Sequence, residues 1–254
     1  MKFIGIIPAR YASTRFEGKP LADLGGKTII EHVYRRVASV LDEVAVATDD
    51  DRIFNAVVAF GGKAVMTSVN HRSGTDRCLE AYDNIGSTAD VVINIQGDEP
   101  FVNPEQIQQI MDCFQEPSTQ IATLALPYPQ DGSFEDLENP NKPKVVFDSN
   151  NLALMFSRSV VPFLRGADKN EWPKLTQYFT HIGMYAFRVP VLREITKLPQ
   201  SSLELAESLE QLRWLQNGYS IKIGVTHHQT IGIDTPADLE AARAILAKSN
   251  QTSL

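Results

Sequence analysis

The sequence is poor in cysteine and contains no long apolar run. Two cysteines, Cys78 and Cys113, occur among 254 residues, which excludes a disulfide framework and is typical of a reducing compartment. Each is interpreted as a small buried apolar side chain. No stretch approaches the roughly 20 apolar residues of a membrane span, and the first apolar run stops at Pro8, too early for a signal-peptide core. We therefore expect a cytoplasmic protein that does not insert into membranes.

Positive charge is also scarce. The chain has 24 Lys and Arg against 31 Asp and Glu, a net charge of −7. A general nucleic-acid binder usually carries a basic face, so this balance argues against that class. It leaves open a small phosphorylated ligand held by a local basic loop. The length suits one large α/β domain, and no linker requires a second, so a single domain over residues 1–254 is expected.

Two nucleotide-binding fingerprints are missing. No Gly-x-Gly-x-x-Gly sequence follows a predicted strand, so a dinucleotide cofactor is not expected. The segment from Gly25 to Thr28 resembles the end of a P-loop, but Leu21 stands where that motif requires glycine. We interpret it as a turn followed by a helix cap.

Short apolar runs alternate with helical patterns in the first half of the chain. Runs buried on both faces and separated by helices predict a mainly parallel sheet within an α/β fold. Ligands in such sheets sit beyond the carboxyl ends of the strands, so the loops after the predicted strands are the candidate site. The strands are predicted at Phe3–Ile7, Val44–Thr48, Ala64–Met66 and Val91–Ile95, and the helices from Thr28, over Arg52–Phe60 and over Thr75–Tyr82.

The second half is less regular. Residues 127–143 are rich in proline and polar residues and predict a surface connection. Leucines at three- and four-residue steps predict one helix over Ser201–Gln216, and a closing helix is expected over Pro236–Ala247 with Thr235 as its cap. Further strands are predicted at Val145–Phe147, Ala153–Phe156, His181–Phe187 and Ser220–Thr226.

The most informative segment is the loop after the first strand, from Pro8 to Pro20. It contains the cations Arg10, Arg15 and Lys19 with small hydroxyl residues and a glycine. Arginine forks and a lysine point charge suit phosphate oxygens. A solvated basic loop is the alternative, but the position at the carboxyl end of a strand favours phosphate binding.

Acidic residues occur in two similar places. Asp98 follows Gly97 directly after the apolar strand that ends at Ile95, and Asp234 precedes Thr235-Pro236. Magnesium at a phosphate site typically takes one or two carboxylates, so both are candidate ligands. For Asp234, helix capping is an open alternative. A third segment, His71 to Arg77, opens a helix whose free N–H groups could receive an anion or a base edge.

Taken in order, these motifs resemble the 3-deoxy-manno-octulosonate cytidylyltransferase family. The match runs from Ile4 to about Ala244 and is carried by IIPARYASTRFEGKPL, ATDD, SGTDR, NIQGDEPF, FSRSVVPF, HIGMYAF, LEQLR and GIDTPADLE. The resemblance implies a three-layer α/β/α nucleotide-diphospho-sugar transferase-like fold with a mainly parallel, mixed sheet. It also implies a homodimer that uses CTP and Mg²⁺. The implied reaction transfers CMP to 3-deoxy-manno-octulosonate (KDO), releases pyrophosphate and activates the sugar for lipopolysaccharide synthesis.

The resemblance also implies residue roles. Asp98 and Asp234 would bind magnesium and act in catalysis with Arg15 and Lys19, while residues 127–190 would form a sugar-binding and dimerisation subregion. The nucleotide would be bound by Pro8, Ala9, Arg10, Arg15, Lys19, Ser73, Gly74, Arg77, Gln96, Gly97 and Asp98, and the acidic sugar by Gln96, Arg158, His181, Tyr185, Glu210 and Gln211. Glu17 stands where the family commonly has proline, and Leu205 and Ser208 also differ from it.

Other functions remain open from the residues alone. A related CMP-sialic acid synthetase, a uridylyl- or guanylyltransferase, or an enzyme for the 8-amino analogue of KDO would use a similar loop. A catalytically silent nucleotide-binding module is the alternative from another class. The retention of both acids and of the three loop cations argues against it.

Overall fold

The computed structural model describes residues 1–13 and 15–252, with side chains as far as residue 248. The chain forms two compact units. The first comprises Met1–Ile107 and Thr230–Leu254, and the second comprises Gln108–Gln229. The predicted single domain over 1–254 stays a prediction, and the predicted subregion 127–190 lies within the second unit.

Strands and helices alternate along the first half, as predicted, and strands dominate the middle of the chain. From Met1 to Asp112 the order is β1 Phe3–Ala9, β2 Asp23–Leu24, β3 Lys27–Thr28, α1 Ile29–Ala38, β4 Val44–Thr48, α2 Asp51–Ala59, β5 Ala64–Met66, α3 Gly74–Ile85, β6 Val91–Asn94 and α4 Pro104–Asp112. Then follow β7 Ile121–Pro127, α5 Phe134–Leu137, β8 Lys144–Phe147, β9 Ala153–Ser157, α6 Trp172–Leu175, β10 Phe179–Arg188, α7 Val189–Ile195, α8 Ser202–Glu207, α9 Gln211–Gln216, β11 Ile221–Val225 and α10 Pro236–Thr252.

In the first unit, four strands form a parallel array in the order β6, β1, β4, β5. The inner strands β1 and β4 have almost wholly buried side chains, as a strand covered on both faces requires. Helix α1 packs closely on β1, because a Cβ added to Gly5 would lie 2.9 Å from side-chain atoms of Val37 and Leu41. The parallel register brings the carboxyl ends of these strands to one edge.

The local signals that start the helices act as predicted. Thr28 caps α1 by accepting a hydrogen bond from the Glu31 N–H at 3.3 Å, and the glycines 25 and 26 form the turn of the β2–β3 hairpin. Both glycines have positive φ, which glycine adopts without strain. The P-loop interpretation is therefore correctly rejected.

The second unit contains a mixed sheet. Strand β7 pairs in parallel with β11 and antiparallel with β10, and β8 pairs antiparallel with β10 and β9. The sequence analysis missed β7, which lies between these partners, because it has few β-branched residues and leads directly into the proline-rich connection. That connection is partly folded: it contains α5, and its Tyr128 and Leu137 are buried against Trp172 and Tyr178.

Several predicted bounds differ from the structure, and two of the differences have a clear physical reason. Strand β1 continues through Pro8 to Ala9, because β1 pairs with β6 only as far as Ile6 and has one neighbour at the proline. The predicted helix Ser201–Gln216 is two helices, α8 and α9, separated at Ser208, which has φ of 50°.

Both cysteines are buried free thiols, as predicted. Within residues 1–13 and 15–252, no helix has the length and apolar character that crossing a membrane requires.

Candidate active site

A cleft of about 190 Å³ lies at the carboxyl ends of β1 and β6. Seven of the predicted nucleotide-binding residues line this cleft, so the structure brings the first loop and the Gly97-Asp98 segment together. The lining residues are Pro8, Ala9, Arg10, Ala12, Ser13, Lys19, Pro20, Gln96, Gly97 and Asp98.

Lys19 joins the two predicted metal-binding acids. Its ammonium nitrogen lies 2.6 Å from Asp98 Oδ2 and 3.2 Å from Asp234 Oδ1. Both carboxylates therefore converge on one cation, although 136 positions separate them in the sequence. The lysine side chain is only 14% exposed, so solvent screens these contacts less than it would on an open surface.

Asp98 is positioned by the end of β6 and by Gly97. A Cβ added to Gly97 would lie 2.6 Å from the carbonyl oxygen of Pro8, so only glycine lets the two chain segments approach this closely. The Asp98 carbonyl accepts a hydrogen bond of 2.9 Å from the Ile233 N–H. This bond connects the segments that carry the two acids.

Asp234 is positioned by the start of α10. Ile233 and Leu239 are buried in an apolar cluster with Leu24 and Ile29. The capping role belongs to other residues: Asp238 accepts from the N–H groups of Asp234 and Thr235, and the Asp238 N–H donates to Thr235 Oγ1. These hydrogen bonds lower the pKa of Asp238. The Asp234 carboxylate is thus left for the cations of the first loop.

The two arginines of the first loop also have partners. Arg15 Nη1 lies 3.1 Å from Asp234 Oδ2, and its side chain is 65% exposed. Arg10 Nη2 donates to the carbonyl of His71, which connects the loop to the segment before α3. Thr14, which belongs to this predicted phosphate loop, lies outside the described residues.

The predicted nucleotide-binding residues at the start of α3 have two different environments in the structure. Ser73 caps the helix by accepting from the Asp76 N–H at 3.1 Å, and Gly74 begins it beside Pro8. Arg77 is fully buried: its Nη2 lies 2.6 Å from Asp49 Oδ2 and its Nη1 lies 2.6 Å from Thr67 Oγ1. In this structure Arg77 supports the loops after β4 and β5, and its binding of nucleotide stays a prediction.

Glu99 is a partly buried acid that the sequence analysis did not single out. Burial, with the neighbouring charge of Asp98, raises the pKa of Glu99 to about 8. Its Oε2 atom is buried and has no hydrogen-bond partner among the described residues. The sequence signal that could have identified Glu99 is its position directly after Asp98 in the QGDEP motif.

The acids fit a divalent cation that arrives with a nucleotide. Among the described residues, no group of three or more His, Cys, Asp or Glu side chains is placed to hold a metal. Asp98 and Asp234 supply two carboxylates, and magnesium commonly takes one or two carboxylates and completes its octahedron with phosphate oxygens and water. The donor set thus suits a site completed by its substrate.

In the second unit, four of the predicted sugar-binding residues lie close together. The rings of His181 and Tyr185 have centroids 5.3 Å apart, and the charge of Glu210 contributes to a Tyr185 pKa that burial raises well above its ordinary value. Tyr185 Oη and Gln211 Nε2 are buried without hydrogen-bond partners in the described part of the chain. Burial lowers the pKa of His181 to about 3, so its ring is neutral at physiological pH. Unpaired buried polar groups are costly, and a hydroxyl-rich ligand would satisfy them.

Arg158 is held beside the break between α8 and α9. Its Nε, Nη1 and Nη2 atoms donate to the carbonyls of Glu207 at 2.5 Å, Pro140 at 2.7 Å and Ser208 at 3.2 Å. The Glu207 carboxylate accepts from the Arg158 N–H at 2.6 Å and the Ser157 hydroxyl at 2.7 Å. These contacts explain the break, and they pair the Arg158 charge with protein groups. A guanidinium has five N–H donors, so these bonds leave capacity for an anion.

The known proteins that this chain resembles in sequence are cytidylyltransferases. The sequence profile of the family described as cytidylyltransferase matches residues 4–223. The 3-deoxy-manno-octulosonate cytidylyltransferase of Parabacteroides distasonis is 64% identical over 97% of this chain and 99% of its own length. That of Bacteroides thetaiotaomicron is 63% identical over 97% of this chain and 98% of its own.

Comparison with solved structures gives the same result as the sequence comparison. A CMP:2-keto-3-deoxy-manno-octonic acid synthetase in complex with CTP has a TM-score of 0.90 and 42% identity, covering 98% of this chain and all of the other. A 4-diphosphocytidyl-2C-methyl-D-erythritol synthase from Anaerococcus prevotii has a TM-score of 0.60 at 15% identity, over 97% of this chain and 99% of the other, and supports the fold alone. The predicted α/β nucleotidyltransferase-like fold with a mixed sheet is confirmed. The chain belongs to the 3-deoxy-manno-octulosonate cytidylyltransferase family.

Proposed function

We propose that the chain transfers CMP from CTP to KDO at the cleft where Lys19 meets Asp98 and Asp234, giving CMP-KDO and pyrophosphate. This is the reaction that the names of its relatives describe. The observation that carries the assignment of the site is the convergence of both acids on one ammonium group, at 2.6 and 3.2 Å. The loop cations Arg10 and Arg15 lie at the same edge of the sheet.

In the proposed reaction, the anomeric hydroxyl of the sugar attacks the α-phosphorus of CTP, and the bond to the β-phosphate breaks. Such transfers depend mainly on positioning and on stabilising phosphate charge. Arg10, Arg15 and Lys19 bind the triphosphate, and the two loop cations nearest the acids, Arg15 and Lys19, stabilise the departing pyrophosphate. The proton of the attacking hydroxyl passes to water, so the proposed step requires no protein general base.

Asp98 and Asp234 would hold Mg²⁺. The ion would neutralise charge on the α-phosphate and lower the pKa of the attacking hydroxyl. In the structure, Lys19 and Arg15 together balance the charge of the two acids. The nucleotide ligands in this proposal include Pro8, Ala9, Ser73, Gly74, Arg77, Gln96 and Gly97, as the sequence predicted.

The polar cluster of the second unit is proposed to bind the sugar. The unpaired buried atoms Tyr185 Oη and Gln211 Nε2 supply a donor or acceptor for sugar hydroxyls. The neutral ring of His181, with Thr123 Oγ1 at 3.0 Å from its Nε2, and the Glu210 carboxylate add further partners. Arg158 would bind the sugar carboxylate through its remaining N–H donors.

Homodimer formation through residues 127–190 and a cytoplasmic location are part of the same proposal. Exposed apolar side chains in this segment support an interface: Leu154, Phe163 and Leu175 are 64%, 72% and 61% exposed. Size-exclusion chromatography with light scattering tests the assembly directly, and a monomer at micromolar concentration would contradict it.

A pyrophosphate-release assay with CTP, KDO and Mg²⁺ tests the function and the site together. Asp98→Asn and Asp234→Asn should each lower kcat by about 10²-fold or more, the loss seen when a group that stabilises transition-state charge is removed. Asp42→Asn is the matched control, because Asp42 is an exposed acid just before β4, at the opposite end of that strand from the cleft. Chelation of Mg²⁺ should abolish release in the wild type.

The same assay separates the alternatives. UTP or GTP in place of CTP, and sialic acid or the 8-amino analogue in place of KDO, should each give slower turnover. Mass spectrometry should detect CMP-KDO as the product. Near-normal turnover of Asp98→Asn would remove this acid from the mechanism, and a failure of the wild type to form any CMP-sugar would refute the function.

A further inference from the structure

Helix α2 carries an arginine that contacts the first loop although no predicted motif includes it. The guanidinium carbon of Arg52 lies 3.2 Å from the centroid of the Tyr11 ring. Arginine planes stack favourably on aromatic faces, and at this distance the contact is a full stack. Tyr11 directly follows Arg10 in the loop that carries the phosphate-binding cations.

Asp50 fixes the orientation of this guanidinium. Arg52 Nε donates to Asp50 Oδ1 at 2.9 Å and Nη2 donates to Oδ2 at 2.7 Å, a bidentate pair. The same carboxylate caps α2 by accepting from the Arg52 N–H at 2.9 Å. The guanidinium is thus anchored to the start of a helix and presents its plane to the tyrosine.

The opposite end of the loop closes on the same ring. The Gly18 N–H donates to the Tyr11 carbonyl at 2.9 Å, and Gly18 has φ of 68°. A Cβ at Gly18 would lie 3.0 Å from Tyr11 Cζ. The turn that delivers Lys19 is therefore built against the Tyr11 ring, and the stack with Arg52 holds that ring to α2.

We propose that Arg52 is a positioning residue for the phosphate loop, acting through its stack on Tyr11. This inference rests on the proposed function, since it assumes that the loop binds CTP. It assigns no contact between Arg52 and the nucleotide.

Steady-state kinetics with CTP provide the first test. Tyr11→Leu and Arg52→Gln should each raise KM for CTP about fivefold, the scale of an exposed cation–π contact, while KM for KDO is unchanged. Tyr11→Phe keeps the ring and should behave as the wild type. In the double variant Tyr11→Leu/Arg52→Gln, the effects should be less than additive, because both remove one contact.

Limited proteolysis tests loop positioning without any substrate. Trypsin should cleave after Arg15 about fivefold faster in Tyr11→Leu and Arg52→Gln than in the wild type, because cleavage follows the population of the open loop. Arg35→Gln is the matched control. Arg35 is also paired with an acid, Glu31 at 2.8 Å, and lies over an aromatic ring, Phe60 at 5.8 Å, but on α1.

The outcomes separate the two proposals. If the wild type forms no CMP-KDO but the variants still open the loop, the function fails and the positioning role stands. If Tyr11→Leu changes neither readout while Arg52→Gln raises KM for CTP, Arg52 acts on the nucleotide directly and the positioning role is refuted.

Discussion

Replacing Lys19 by methionine should increase the affinity of the enzyme for Mg²⁺ in the absence of nucleotide. Lys19→Met keeps a long apolar side chain but removes the ammonium that lies 2.6 Å from Asp98 and 3.2 Å from Asp234. In the wild type, a divalent ion that binds both acids must compete with this ammonium. In the variant, Asp98 has lost this counter-charge and Asp234 keeps only the exposed Arg15.

The size of the effect follows from the exposure of the acids. The Asp98 and Asp234 side chains are 31% and 47% exposed, so a calculation with the dielectric of water gives a minimum for the repulsion. A unit charge about 4 Å from a divalent ion then costs roughly 2 kcal/mol, or about 30-fold in Kd. Because the lysine side chain can swing partly away, we expect at least about a tenfold decrease in Kd.

Isothermal titration calorimetry with Mg²⁺, or with Mn²⁺ as a more sensitive probe, measures this directly. Lys63→Met is the control, because Lys63 forms an exposed pair with Glu43 at 3.7 Å elsewhere in the first unit. The same Lys19→Met variant should lose turnover. Metal affinity that is unchanged or weaker in Lys19→Met would show that Asp98 and Asp234 do not form a cation site, and the reasoning would be refuted.

Three further predictions concern stability. Gly97→Ala should lower the free energy of unfolding by about 1–3 kcal/mol, because its Cβ would meet the Pro8 carbonyl at 2.6 Å; an unchanged urea midpoint would contradict this contact. Asp49→Asn should cost about 3 kcal/mol in urea denaturation, since it leaves the buried Arg77 guanidinium without its carboxylate, and a loss within experimental error would show that water already compensates that charge. Because burial lowers the pKa of His181 to about 3, the unfolded chain binds a proton first as pH falls. The contribution of His181 to stability is therefore present above about pH 6.5 and is lost toward pH 3, by up to about 1.4 kcal/mol per pH unit. His181→Gln should show a shallower pH dependence of the free energy of unfolding. A pH dependence identical to that of the wild type would refute the burial argument.

The convergence of Lys19 and Asp98 could be predicted, because the rule that applies needs only the positions of the strands in the sequence. Lys19 and Asp98 each follow a strand that is apolar on both faces, and parallel strands end at one edge of the sheet. Asp234 was the harder case, since an acid before Thr-Pro has the pattern of a cap. The structure shows that Thr235 and Asp238 together cap the helix, with Thr235 as predicted, and that Asp234 is left to Lys19.

Other features of the structure depend on contacts between residues that are distant in the sequence, which the spacing of apolar residues does not reveal. The leucine pattern runs without interruption through residues 205, 209 and 212, so one helix was the natural prediction. The break at Ser208 follows from Arg158, about 50 positions away, which takes the carbonyls of Glu207 and Ser208. The sequence could not distinguish the possible roles of Arg77 either. An arginine near a ligand loop has the same sequence pattern whether it binds phosphate or a buried acid such as Asp49.

The cations of the first loop already have partners before any nucleotide arrives. Lys19 and Arg15 pair with Asp98 and Asp234, and Arg10 pairs with a backbone carbonyl. At the proposed site, binding of CTP would exchange these partners and would place phosphate oxygens beside two carboxylates that lose their cations. A divalent ion would remove that repulsion, so nucleotide and metal would each strengthen the binding of the other by the same factor. Calorimetry of CTP with and without Mg²⁺ measures the factor, which should shrink in Asp98→Asn; equal CTP affinity in the presence and absence of the metal would mean that the acids and the triphosphate do not share a site.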